Sequence, residues 1–407
     1  MDTQGTNSTR RRSFLKLTGT LATAGVAGLA GCSSGGGGGD GGGDTPATTD
    51  DTEQTSAVDS DAQELREKYG LAELDYELED ELNIFQWSDY WGEDIVPTFE
   101  KVYGVSVNVS NFASNEEMFN KLKAGGSGQY DLVFPSDYMI NIMSEQGVIQ
   151  QLDKAKIPNY ENLGSKFTDT PYDPNPGTWS APYQWGTSGI GWTAELLGDD
   201  ATIDTWDAMW NDEYGGQITM MNDMRETIGA ALKRRGYSLN ATDPAKIEEA
   251  KQDLIEQKEL LLTYDSSNFE TKLINEQASP VHGWSGDIFR AYWETYSDGS
   301  SPVDYRVPTE GGVIWVDNGA ITAEAQHPNA AHAFINYYMN AKVAAAITNW
   351  TYFGSPNEAA EAHIADEILS NPSIYPPDDV MESLEYIRNV GDARKHYSEA
   401  WTEIQNA

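Results

Sequence analysis

Three stretches in the first third of the chain, 82-LNIFQW-87, 105-VSVNV-109 and 131-DLVFP-135, decide the fold class. Each has the length and apolar content of a β-strand, and the middle one alternates apolar and polar residues. A helical pattern covers 93–103 after the first strand, and the capping sequence Ser114-Asn115-Glu116-Glu117 opens a second helix. Strands and helices that alternate in this way predict βαβ units around a parallel sheet.

The same alternation continues along the chain, which predicts an α/β fold. The predicted helices are 137–146, 223–235, 244–262 and 328–349, and the further predicted strands are 217–222 and 280–284. In open α/β sheets, ligands bind beyond the carboxyl ends of the strands. The residues that follow each strand are therefore the candidates for a binding site.

The composition excludes several classes of function. The 407 residues include 65 acidic and 26 basic ones, a formal net charge of −39, and one cysteine. Nucleic acid is excluded as a partner because phosphate binding needs clustered Lys and Arg. One cysteine excludes a disulfide framework and a cysteine-rich metal centre. The five histidines have no metal-ligand spacing, so no metal and no cofactor is predicted. Acidic residues spread along the whole chain favour the protein of a salt-loving organism over a dedicated acidic binding surface.

The N-terminus has the pattern of an export signal. Arg11 and Arg12 precede an apolar stretch, 17–30, that is too short to span a bilayer. Twin arginines in this position indicate the twin-arginine export route. The stretch ends in Leu29-Ala30-Gly31-Cys32, which resembles a lipoprotein processing box, so we expect a signal peptide of 1–31 and a lipid on Cys32; the alternative is an incidental cysteine. Residues 32–63 are rich in Gly, Ser, Thr and Asp, which predicts a disordered acidic tether.

Aromatic and acidic side chains recur where the predicted strands end. The four segments that show this are Trp87-Ser88-Asp89-Tyr90, Ser136-Asp137-Tyr138, Asp223-Met224-Arg225-Glu226 and Trp284-Ser285. Trp315 and Asp317 lie on one side of a further extended segment, because side chains alternate along a strand. Aromatic faces attract ammonium groups and carboxylates accept their hydrogen bonds. The set therefore predicts a site for a linear organic cation.

Each residue of this set also has a purely structural interpretation. Trp87 and Trp284 could pack in the core, and Asp223 could be a helix N-cap followed by a solvated first turn with Glu226. The functional interpretation depends on the joint position of these side chains after the strand ends.

At these motifs the chain resembles the spermidine/putrescine-binding proteins of ABC transporters, of haloarchaeal type. The segments that carry the resemblance are Asn83–Tyr90, Tyr130–Tyr138, Asp223–Glu226 and Gly311–Asp317, and the similarity runs from about residue 82 to about 356. The resemblance implies an α/β fold of the periplasmic-binding-protein-like type II, with a ligand cleft between two lobes. The lobes would be 64–190 with 317–358, and 191–316 with 359–407.

The resemblance also implies which residues hold the ligand. Tryptophans and a tyrosine would line the slot, acids would pair with amines, and three residues match positions near the ligand. The expected ligand-binding residues are Trp87, Ser88, Asp89, Tyr90, Ser136, Tyr138, Asp223, Glu226, Trp284, Trp315, Asp317 and Phe353.

Two departures from the family pattern lie at one end of the slot. Phe353 stands where the family usually carries a tyrosine, and a glutamine of the family falls at Ile387. Both changes remove polar contacts, which leaves room for another cationic or a neutral ligand.

Three functions compete on these observations. The first is a lipid-anchored, monomeric receptor outside the cytoplasm that binds a polyamine and delivers it to the permease of an ABC transporter. The second is a receptor for a sugar or a different amine, because aromatic side chains also stack on sugar rings. The third is an enzyme with Asp223 and Glu226 as an acid/base pair; the absence of a nucleophile elbow, a zinc motif or a phosphate loop from the sequence argues against it.

Overall fold

The computed structural model describes residues 51–168, 170, 172–173, 178–198, 201 and 203–407, with side chains described from Ser60 onward. The predicted signal peptide, Cys32 and the tether up to residue 50 lie outside the described residues. Among the described helices, none is both long and apolar enough to cross a bilayer.

Ten strands form the sheet of the described chain. They are β1 Glu81–Gln86, β2 Ser106–Asn111, β3 Leu132–Val133, β4 Ala181–Thr193, β5 Ile218–Met220, β6 Leu261–Tyr264, β7 Val281–Trp284, β8 Val303–Arg306, β9 Val313–Ile321 and β10 Glu385–Tyr386.

Fourteen α-helices, joined in places by short 3₁₀ turns, surround the sheet in the described chain. They are α1 Asp51–Tyr69, α2 Ile95–Tyr103, α3 Asn115–Lys123, α4 Asp137–Glu145, α5 Ala194–Leu197, α6 Met224–Arg234, α7 Pro244–Gln257, α8 Phe269–Ile274, α9 Ser285–Thr295, α10 Pro328–Tyr338, α11 Ala341–Thr351, α12 Asp366–Leu369, α13 Asp378–Ser383 and α14 Arg394–Asn406.

The sheet is mixed, with the strand order β2-β1-β3-β9-β4-β7-β5-β6. The predicted parallel pairing is confirmed for β1 with β2 and β3, and for β5 with β6 and β7. It is wrong at the centre, where β9 is antiparallel to β3 and to β4, and β4 is antiparallel to β7 and β8. The α/β class is confirmed, and two long antiparallel strands join its parallel parts.

The central strands β4 and β9 are buried along their whole lengths. When both faces of a strand are covered, its sequence does not alternate between apolar and polar residues. Strand β4 therefore lacks the alternating pattern that identifies β2 in the sequence, and its 13 residues were not predicted as a strand.

Local capping signals are confirmed at two helices that border the sheet. The Ser114 hydroxyl accepts a hydrogen bond from the backbone N–H of Glu117 at 3.2 Å, and the Glu117 carboxylate accepts one from the N–H of Ala113 at 3.0 Å. Asp223 caps α6 by accepting from the N–H groups of Arg225 and Glu226. Caps of this kind satisfy backbone donors that have no partner inside the helix.

Three predicted boundaries are wrong. The final part of the predicted tether, 51–63, belongs to α1, where Leu65 packs on the core and the Arg66 guanidinium donates to the Val102 carbonyl oxygen. The predicted helix 244–262 ends earlier, because Leu261–Tyr264 pairs with β5 as a strand. The predicted helix 328–349 is two helices, because the Asn340 side chain caps the second.

Candidate functional site

One cleft of about 660 Å³ gathers the predicted residues. All twelve of the expected ligand-binding residues line it, although their contact with a ligand stays a prediction. Five further side chains complete the wall: Asn115, Asp137, Gln184, Asp287 and Ile387. The strand ends of both halves of the chain therefore meet in one cavity, as the sequence predicts.

Asp317 forms the first acidic centre of the cleft. Its carboxylate accepts hydrogen bonds from the hydroxyl of Tyr90 at 2.7 Å and from the hydroxyl of Ser136 at 2.8 Å. Asn115 orients Ser136, because its amide donates to the serine hydroxyl and accepts from the serine N–H, both at 3.0 Å. Burial raises the pKa of Asp317 to about 7, against the lowering effect of the two hydroxyls. The carboxylate is thus held in one orientation while its charge stays costly.

Glu226 forms the second acidic centre. One oxygen, Oε1, accepts from the Ser188 hydroxyl at 2.8 Å and from the Trp284 indole N–H at 3.4 Å. The other oxygen, Oε2, is buried and has no hydrogen-bond partner among the described residues. Burial and the neighbouring Asp223 raise the pKa of Glu226 to about 8. His282 Nε2 lies 3.9 Å from Oε2, but burial lowers the pKa of His282 to about 3, so the imidazole is uncharged at neutral pH. A buried carboxylate oxygen without a hydrogen bond costs free energy, which a bound cation would recover.

Asp223 fits both interpretations that the sequence leaves open, a helix cap and a residue of the binding cleft. It is the N-cap of α6, and it also lines the cleft. Burial raises its pKa, and Arg225 and the two backbone hydrogen bonds oppose that rise.

Aromatic rings cover the space between the two centres. Trp315 packs edge-on against Phe353 with ring centroids 4.9 Å apart, and Trp87 packs edge-on against Trp284 at 5.9 Å. Gly186 faces Trp315, and a Cβ atom there would lie 2.6 Å from the indole. The absence of a side chain at position 186 therefore makes room for the ring.

The strand pair β4/β9 forms the floor of the cleft. In its register Gln184 lies opposite Asp317 and Gly186 opposite Trp315. Side chains two residues apart share a face, so Ser188 continues the β4 row and reaches Glu226. Four residues of strand separate Gln184 from Ser188, a rise of about 13 Å. One face of the strand pair thus contacts both acidic centres.

The ionisable side chains that the structure describes in the cleft wall include acids but no bases. None of the described residues that line the cleft is Lys, Arg or His. Six of them are acidic: Asp89, Asp137, Asp223, Glu226, Asp287 and Asp317. Burial raises the pKa of Asp137 well above its usual value and that of Asp287 to about 6. Arg290 pairs with Asp287 at 2.9 Å from outside the wall. Among the described residues, no group of acids, histidines or cysteines has the geometry to hold a metal ion.

The sequence contained a signal for two cleft residues that are missing from the twelve expected ligand-binding residues. Asp137 stands inside the quoted segment Ser136–Tyr138, and Asp287 lies in the first turn of the helix after Trp284. Gln184 had none, because its strand was not predicted.

Comparison with known proteins assigns the family. The bacterial extracellular solute-binding proteins match residues 94–376. The chain belongs to this family. Its members bind solutes outside the cytoplasm for transport, so the alternative of an enzyme is set aside and an extracytoplasmic location follows.

The relatives share the fold and match about 80% of this chain. The spermidine/putrescine-binding periplasmic protein of Salmonella typhimurium is 32% identical over 80% of this chain and 92% of its own. The solved structure of a candidate spermidine/putrescine ABC transporter from Listeria monocytogenes has a TM-score of 0.76 at 30% identity, over 80% of this chain and 99% of its own. A Treponema pallidum lipoprotein has a TM-score of 0.69 at 27% identity, over 80% and 99%. The predicted periplasmic-binding-protein-like fold is confirmed.

Proposed function

We propose that this chain is a receptor that binds a polyamine, spermidine or putrescine, and delivers it to the permease of an ABC transporter. The observation that carries the proposal is the wall of six acids without a basic residue, in a cleft that three indole rings also line. Relatives that match 80% of this chain are named for the binding of spermidine and putrescine or putrescine.

The chemistry of the cleft suits an amine at each end of a methylene chain. An ammonium group donates charge-assisted hydrogen bonds to carboxylates such as Asp317 and Glu226. The faces of Trp315 and Trp87 cover methylene groups and attract the adjacent positive charge. A neutral sugar donates hydroxyl hydrogen bonds to carboxylates but brings no positive charge to balance the two buried acids.

We assign two lobes, 64–190 with 317–358 and 191–316 with 359–407, that close on the ligand. Both long strands cross between the proposed lobes: the first part of β4 pairs with β9, and its last residues pair with β7 and β8. A ligand favours the closed state only through contacts with the two lobes that it does not make in the open state.

The N-terminal assignments belong to the same proposal. Export by the twin-arginine route, a lipid on Cys32 and a tether up to residue 50 would hold a monomeric receptor near its permease. A net charge of −39 supports a haloarchaeal protein that stays in solution in concentrated salt.

Calorimetric titration of the purified chain with putrescine, spermidine and a panel of sugars, in 2 M KCl, tests the proposal. Buried ion pairs are screened less than exposed ones, so we expect saturable heat from a polyamine even in molar salt. Heat from a sugar with none from either polyamine would overturn the proposal.

A different amine is the second candidate, favoured by the apolar end of the cleft. Phe353 and Ile387 line it with no polar atom in their side chains. Titration with cadaverine and agmatine distinguishes this candidate by the relative affinities.

A further inference from the structure

Gln184 is the polar residue of the cleft wall that neither the motifs nor the capping pattern explains. It lies in the middle of β4, and only 2% of its surface is exposed. Its Oε1 atom is buried and has no hydrogen-bond partner among the described residues. A buried amide oxygen without a partner is costly and is uncommon in proteins, so this atom requires an explanation.

The register of the sheet brings this amide to Asp317. Gln184 and Asp317 are directly opposite each other on the antiparallel strands β4 and β9. Side chains in such a pair project from the same face, with Cβ atoms about 4.5–5.5 Å apart. Both residues line the cleft.

We infer that Gln184 is a ligand-binding residue, whose amide oxygen and the Asp317 carboxylate together bind one terminal primary ammonium group. This inference rests on the proposed function and specifies one end of the slot. The two carboxylate oxygens and the amide oxygen provide three acceptors, the number of N–H donors on a primary ammonium. The amide dipole stabilises the cation without a second charge beside Asp317, which two carboxylates at this distance would bring.

Phe353 and Ile387 line the same cleft. These two apolar side chains provide no acceptor to the cleft. Gln184 approaches instead from the floor, where the strand pair holds its backbone. The site therefore selects a primary amine over an N-methylated one, because methylation removes a donor.

Calorimetric titration of putrescine into the wild type and Gln184→Leu tests the inference, with Gln86→Leu as the matched control. Gln86 is also a buried glutamine whose Oε1 has no partner among the described residues, but it does not line the cleft. We expect Gln184→Leu to weaken putrescine binding about 10- to 100-fold, the loss of one hydrogen bond to a charged group. Gln86→Leu should bind as the wild type does.

N,N′-dimethylputrescine and thermal unfolding complete the test. This ligand keeps both charges but has two N–H donors at each end, so the wild type should prefer putrescine and Gln184→Leu should show a smaller preference. The unliganded Gln184→Leu protein should melt no lower than the wild type, because the change removes a buried amide oxygen that has no partner among the described residues. Gln184→Met serves if the leucine variant fails to fold.

Equal putrescine affinity in the wild type and either folded Gln184 variant would overturn the inference and leave the proposed function intact. No polyamine binding by the wild type itself would overturn both.

Discussion

The carboxylate of Asp317 is buried, is held by two hydroxyl groups, and faces no basic side chain among the described lining residues. Asp317→Asn keeps the shape and removes the charge, so it should weaken polyamine binding about 100-fold or more. Calorimetric titration measures the change. Asp212→Asn, which removes one charge at an exposed position, is the control. Undiminished binding by Asp317→Asn would show that the ligand's charge is not recognised there.

The raised pKa values of Glu226 and Asp317, about 8 and about 7, make binding depend on pH. At pH 7 the empty cleft holds roughly one to two protons on these groups, and a cation must displace them. Affinity should therefore increase from pH 6 to pH 9, where terminal amines are still charged.

Titration in buffers of different ionisation enthalpy counts the protons released. We expect roughly one to two at pH 7 and almost none at pH 9. Identical heats in all buffers at pH 7 would mean that both acids are already ionised in the empty cleft.

At the residue scale, the sequence identified the side chains that follow recognisable strands, such as Trp87 and Asp223. It missed Gln184, because a fully buried strand has no alternating pattern to reveal its register. The raised pKa values of the buried acids could not be predicted from the sequence either, because they depend on the groups that the fold places around each acid.

At the element scale, the pair β4/β9 depends on Gly186. Gly186→Ala should shift Trp315, because the added Cβ would lie 2.6 Å from the indole and 3.0 Å from Phe353. We expect a loss of about 1–3 kcal/mol in the free energy of unfolding and weaker polyamine binding. Denaturant unfolding and titration measure the two effects. Gly164→Ala, where the nearest atom is 3.7 Å away, should change neither; a wild-type affinity in Gly186→Ala would show that Trp315 does not contact the ligand.

Helices and strands were predicted with unequal success for physical reasons. The signals for α3 and α6 are local, since a cap and the helix that it opens are adjacent in the chain. The direction of β9 depends on distant partners, so its antiparallel pairing with β3 and β4 could not be derived from βαβ alternation.

At the scale of the whole molecule, the proposed lobes should close on the ligand. The second acidic centre belongs to α6 and the first to the strands around β9, so a ligand that bridges them favours closure. Small-angle scattering of the purified chain should show a smaller radius of gyration on saturation with spermidine. Asp317→Asn at the same spermidine concentration is the control. An unchanged radius for the saturated wild type would contradict closure.

The fold class and the meeting of both halves in one cleft were predictable from the order of the strands and the family resemblance. Helix α1 and the mixed centre of the sheet were not, because they depend on packing against the finished core. Leu65, for example, contributes to α1 through its contact with that core.

A crystal structure of the chain with spermidine tests the central claim most directly. We predict terminal nitrogens within about 3 Å of carboxylate oxygens of Asp317 and of Glu226, with the methylene chain across Trp315. Spermidine bound outside this cleft, or bound in it without contact to either carboxylate, would contradict the claim.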